Sequence, residues 1–203
     1  MRASSVFFSI TLLLAGCALP LPDKPVRPAA YDLGPPLAMP AASGSGAPLA
    51  FERVQAPAAI DTNAVIYRLL YAGGAQQPRP YAQARWSMPP AQLLEQRLRQ
   101  ALTATHPVLE PGSGLATVEL RAELDEFDQV FSAPTASEGV VRLRVTATAP
   151  LARQGRLLGQ RSFVQRVPAP TPDAEGGAQA LREASDALVR EVAAWVGALP
   201  APQ

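Results

Sequence analysis

One cysteine, one histidine, few aromatic side chains (6%) and no run of like charge mark this 203-residue sequence, whose 18 basic and 17 acidic residues leave a formal net charge of +1. Each shortage excludes something. A lone cysteine, Cys17, permits no intramolecular disulfide, and its place near the N-terminus leaves the folded part without a thiol nucleophile. The only histidine, His106, precedes Pro107, and no Gly-x-Ser-x-Gly elbow accompanies it. It reads as a helix-end residue interacting with the helix dipole. Clustered His, Cys and carboxylate ligands are absent, so no metal site is expected. Asp125, Glu126 and Asp128 are the densest acidic group, but strand alternation would split them between faces, as on a solvated sheet edge. Gly73-Gly74 is followed by neither a lysine nor a helix start, so no phosphate loop is present, and no cofactor is implied. Without Lys/Arg runs, nucleic acid is not an expected partner.

Proline, by contrast, is abundant, with 22 residues, and the N-terminus is strongly patterned. Arg2, an apolar stretch from Val6 to Leu14, and Leu14-Ala15-Gly16-Cys17 form a secretory signal ending in a lipobox. The apolar run falls short of the roughly 20 residues that a permanent membrane helix needs. Residues 1–16 are therefore expected to be removed, with Cys17 lipidated by diacylglyceryl and N-linked acyl chains such as palmitate. Two chains already exceed the marginal hold of one. Ala18, rather than an acidic residue, follows the cysteine and favours an outer-membrane location facing the periplasm. Residues 17–48 carry Pro20, Pro22, Pro25, Pro28, Pro35, Pro36, Pro40 and Pro48 and read as a tether, which would span about 90 Å if extended like polyproline. Tyr31-Asp32-Leu33-Gly34 stands out within it as an ordered island.

Residues 49–200 read as one domain. Leu49 to Gln55 and Ala64 to Tyr71 are strand-like, Gly73-Gly74 turns the chain, and Arg79 to Ala84 is a short strand that tolerates Pro80 only at an edge. Pro89-Pro90 opens a helix whose apolar positions are Leu94, Leu98, Ala101, Leu102 and Thr105, with Glu95, Gln96, Arg97, Arg99 and Gln100 facing away. Val118, Leu120, Ala122 and Leu124 alternate, then parity slips to Phe127 and Phe131, which predicts a bulge near Asp125-Glu126. Val141, Leu143, Val145 and Ala147 form the next apolar row. Arg142 and Arg144 are placed to pair across strands with Glu119, Glu123 and Asp125. Gln154-Gly155 turns into a strand over 157–167 with Phe163 in the core. A final helix from Asp173 to Leu199 carries the stripe Leu181, Ala184, Leu188, Val192, Trp195 and Leu199. The expected fold is α+β: an antiparallel or mixed sheet with two amphipathic helices packed on one face, a sandwich.

The aromatic and arginine residues between the second strand and the first helix are the candidate contact region. Tyr67, Arg68, Tyr81, Arg85 and Trp86 supply the side chains that interface centres favour, although core aromatics beside surface arginines would give the same pattern.

Several short motifs keep a common order: the lipobox, Tyr31-Asp32-Leu33-Gly34, Val54 with Ala56-Pro57, Ile66-Tyr67-Arg68, Tyr81 with Arg85-Trp86, and Pro89-Pro90-Ala91-Gln92-Leu93-Leu94. Leu124, Phe127, Phe131, Arg161-Ser162-Phe163 and Ala194-Trp195-Val196 complete the series. In these the chain resembles the ABC-type transport auxiliary lipoproteins (PqiC/YmbA-like), which accompany MCE-domain lipid transporters. The resemblance implies a non-enzymatic periplasmic accessory that docks an MCE protein at the outer membrane, with ATP hydrolysis on another subunit. Self-association into a ring would suit a partner of an oligomeric tunnel. Two alternatives share the anchored architecture: an LptE-like lipopolysaccharide-assembly lipoprotein, and an anchored hydrolase using His106.

Overall fold

The structure is a computed structural model that describes residues 27–38, 46–150 and 155–200. Cys17, the signal and much of the tether lie outside the described residues. Eight strands form one mixed sheet and two helices accompany it, an open α+β arrangement.

The sheet is organised around β6 (Val118–Ala133), which pairs along nearly its whole length with β7 (Ala136–Thr148), and β7 in turn with β8 (Leu157–Pro168), all antiparallel. The other edge of β6 is shared. β2 (Leu49–Gln55) runs parallel to its first half, from Leu49 opposite Val118 to Gln55 opposite Glu123. β3 (Ala64–Leu69) runs parallel to its second half, Tyr67 opposite Gln129. Two short strands thus do the work of one long one. β5 (Val108–Leu109) extends the sheet beyond β2, while β4 (Gly74–Trp86) extends it beyond β3.

Pro78 and Pro80 fall in β4, which is longer than the sequence pattern suggested. They are tolerated because β1 (Ala29–Tyr31) covers β4 only at Ala84–Trp86, so the proline-bearing stretch is a free edge. β1 also moves the start of the folded unit well before residue 49. Leu33 follows it into the core at 4% exposure, so part of the expected tether is a strap built into the domain.

Both helices lie on one sheet face: α1 (Pro90–Thr103) against β2, and α2 (Ala174–Gly197) across β6, β7 and β8, with the two helices touching. Leu181, Ala184, Leu188 and Val192 of α2 are fully buried, as are Leu94, Leu98, Ala101 and Leu102 of α1. Burying each leucine or valine is worth about 1.5–3 kcal/mol, and these stripes fix the face each helix presents. Gly139 lets α2 come close: a Cβ there would lie 2.6 Å from the backbone nitrogen of Leu181.

The bulge falls where parity slipped, between Leu124 and Glu126. Arg144 reaches Glu123 at 2.5 Å and Asp125 at 3.6 Å, and Arg142 reaches Glu126 at 3.3 Å. Glu119 takes no part, since it faces Thr148.

Candidate interaction surface

Neighbouring residues of β3 point to opposite sides of the sheet, which divides the candidate region in two. On the helix side, Tyr67 packs on Tyr81 with ring centroids 4.6 Å apart and on Phe131 at 6.0 Å. The Tyr81 hydroxyl donates to Oε1 of Gln129 at 2.8 Å, and Nε2 of Gln129 donates to the Ser137 hydroxyl at 2.8 Å. Gln129 is wholly buried, so this chain of bonds satisfies a polar group that would otherwise be costly. Gly177 leaves the room, because a Cβ there would lie 2.1 Å from the Gln129 amide oxygen. Burial, with Tyr67 beside it, pushes the Tyr81 phenol up to about 12, which keeps it a donor. Both tyrosines are half-buried.

On the opposite side, Nε of Arg68 donates to Oδ2 of Asp128 at 2.5 Å and Nη1 to the Ala75 carbonyl at 2.9 Å. The Asp128 side chain is 1% exposed. Burial raises its pKa above the ordinary carboxylate value, and the bond from Arg68 opposes that rise.

Trp86 belongs to neither side of a contact surface. It is 1% exposed and packs edge-on to Phe127 at 5.3 Å, so its reading as a contact residue is corrected to a core role. The strand parity that exposes Arg85 turns Trp86 inward. Of the residues chosen from the sequence, Arg85 is exposed and Arg68 half-exposed. The structure adds Leu70 and Tyr71, 46% and 47% exposed, on a 3-10 turn (Leu70–Ala72) that follows β3. Gly73 closes that turn at φ 67°, a conformation glycine adopts without strain. An exposed apolar tip that follows Arg68 is the part of this region suited to contact.

Two further expectations change. The acidic residues Asp125, Glu126 and Asp128 are not split apart: the bulge interrupts alternation and all three line one cavity, in the stretch of β6 between the parts that β2 and β3 cover, where β7 lies along the other edge. Their carboxylates are held by arginines, and among the described residues no group of three or more His, Cys, Asp or Glu is placed to hold a metal ion. His106, beyond the end of α1, shares a 2.8 Å hydrogen bond between its Nδ1 and the Thr105 hydroxyl. Burial lowers its pKa, which favours a neutral ring over the cation that a dipole interaction needs.

Arg97 is the residue the sequence reading misplaced. Expected on the outer face of α1, it is 4% exposed and donates to the carbonyls of Leu33, Gly34 and Pro35, while its Nε stands 3.3 Å from Asp186 of α2. It ties the strap to both helices. The signal was present, since Arg97 follows Leu94 by three positions and precedes Ala101 by four, which puts it on the buried stripe.

These features define a two-layer α+β domain with an N-terminal strap and an exposed Leu70-Tyr71 tip after β3. The fold is that of a Xanthomonas campestris protein of the DUF330 family, at a TM-score of 0.67 and 18% identity over 83% of this chain and 94% of that one. A Chlamydia trachomatis hypothetical protein is similar at a TM-score of 0.52 and 10% identity, over 75% of this chain and 96% of that one. No curated protein sequence matches. The chain belongs to the ABC-type transport auxiliary lipoprotein component family, whose family model matches residues 31–193. Membership makes it a lipoprotein component auxiliary to an ABC-type transport system.

Proposed function

We propose that the protein is a non-catalytic adaptor, anchored through Cys17 in the outer membrane and facing the periplasm, that docks the MCE protein of an ABC-type lipid transporter. The observation that carries this reading is the family match over residues 31–193, which runs from the end of β1 through the rest of the sheet and α1 into α2. An exposed Leu70-Tyr71 tip beside Arg68, with exposed Arg85 at the other end of β3, supports docking.

Crosslinking in intact cells, followed by purification of the full chain, tests the partner. An MCE protein should be recovered, and Tyr71→Ser combined with Arg85→Glu should cut that recovery several-fold while the far-ultraviolet circular dichroism stays unchanged. Recovery of an outer-membrane barrel with no MCE protein would replace this reading with the lipopolysaccharide-assembly one.

A further inference from the structure

The β6–β7–β8 ladder ends at β8, whose far side has no strand beside it among the described residues. Open edges invite pairing with another chain, and proteins blunt them with prolines, very short strands or covering segments. The other edges of this sheet are blunted: β5 is Val108–Leu109 alone, β1 covers the end of β4, and Pro78 and Pro80 interrupt the rest of β4. β8 is not. It runs for 12 residues with proline only at its last position, and its exposed Arg161 and Arg166 are tied to Glu191 and Glu138 of the same chain.

Hydrogen bonding to β7 decides which backbone groups this edge offers. Ala169, just past the strand, donates its amide to the Ser137 carbonyl of β7 at 2.8 Å. The register is unbroken from there to Gly159 opposite Ala147, so Val167, Gln165, Phe163 and Arg161 turn their N–H and C=O groups toward β7. Gln160, Ser162, Val164 and Arg166 turn theirs outward. All four are exposed, and Val164, at 37%, is a large apolar residue on the surface.

We infer that a second copy of this chain adds its own β8 here, antiparallel, about a two-fold axis through Val164. Joining one edge to a different edge would need a second open strand, and the described residues offer none, so the pair is isologous and uses β8 twice. The side chains place the axis. Centred on Val164, the pairing sets that residue against itself and covers its exposed surface, with Ser162 opposite Arg166 of the second copy and Gln160 opposite Pro168. Centred on Ser162, it would bring the two Arg161 side chains diagonally across from each other, a like-charge contact. Directly opposed residues share a face, so the axis is perpendicular to the sheet. Symmetry then puts both Arg27 ends at one height along it, and both tethers reach one membrane. This goes beyond the docking reading, since the contact lies across β6 and β7 from the Leu70-Tyr71 tip that follows β3.

The test is disulfide trapping of the full-length lipoprotein in intact cells, where the exported domain meets an oxidising compartment. On the axis, the two copies of position 164 lie about 5.5 Å apart between Cα atoms, within the roughly 4.4–6.8 Å that a disulfide spans, whereas those of position 162 lie about 14 Å apart. Val164→Cys should therefore give a disulfide-linked dimer on non-reducing gels, several-fold more than the unsubstituted chain, Ser162→Cys or the loop control Leu115→Cys, a position 72% exposed. Adding Ser162→Arg to Val164→Cys sets a like charge opposite Arg166 of the second copy and should cut the dimer several-fold, with the total amount of chain and its thermal transition unchanged. All three positions are exposed, so the substitutions leave the core intact. No dimer from Val164→Cys, equal dimer from Ser162→Cys or Leu115→Cys, or a dimer indifferent to Ser162→Arg would overturn the inference. So would a disulfide from position 164 to a different protein, which would give the edge to an extended segment of that protein instead.

Discussion

A guanidinium with only 4% of its surface exposed must be surrounded by acceptors, and Arg97 takes three of them from consecutive backbone carbonyls of the strap. Such an arrangement uses the planar fork of arginine, which lysine cannot imitate. Asp186 completes the site; burial raises its pKa, and Arg97 is the largest influence opposing that rise. Arg97→Met should destabilise the domain by about 3 kcal/mol in urea denaturation, the usual scale for breaking a buried charged contact. It should also speed hydrogen exchange at the Ser87 amide, which donates to Tyr31 of the strap at 2.7 Å. Retained protection at Ser87 would mean that β1 holds the strap by itself. Among single residues, legibility followed side-chain chemistry. Apolar positions such as Leu143 and Phe163 are buried as their pattern indicates, whereas Arg97 and Asp128 are buried against their chemistry because distant parts of the chain supply partners.

At the scale of elements, β7 and α2 meet backbone to backbone at Gly139. A Cβ on Gly139 would lie 2.6 Å from the Leu181 nitrogen and 2.7 Å from the Ala180 carbonyl carbon, both backbone atoms that cannot swing aside. Gly139→Ala should therefore lift the helix and cost about 1–3 kcal/mol by chemical denaturation. The start of the same helix has a pH signature. Asp173 accepts from the Gly176 amide, which together with Thr171 lowers its pKa. A folded pKa below the unfolded one gives stability that is present above the unfolded value and lost as pH falls through the folded value. Asp173→Ala should cost about 1 kcal/mol at neutral pH, a difference that disappears when denaturation is repeated below the ordinary aspartate range. Element order, both helices and the β6 bulge were legible because each leaves a local periodicity. The collinear placement of β2 and β3 beside β6 was not, since parallel partners are chosen by contacts far apart in sequence. The consequence of the bulge, three acidic residues on one cavity, was hidden by the very alternation that revealed it.

For the whole molecule, the strap joins two roles that the sequence pattern kept apart, tether and domain. Cys17→Ala should leave the thermal transition of the domain unchanged while moving the protein out of the membrane fraction; an equal membrane share would contradict anchoring through that residue. The strap also has a mechanical meaning. A pull on the N-terminus reaches the fold first at Ala29–Tyr31, three residues laid parallel to the end of β4, and next at the carbonyls gripped by Arg97. The long β6–β7–β8 ladder bears none of that load directly. Tension would thus peel off a short strand before it strained the sheet, so the attachment acts as a mechanical fuse: it yields first, lengthens the leash, and leaves the rest of the domain folded.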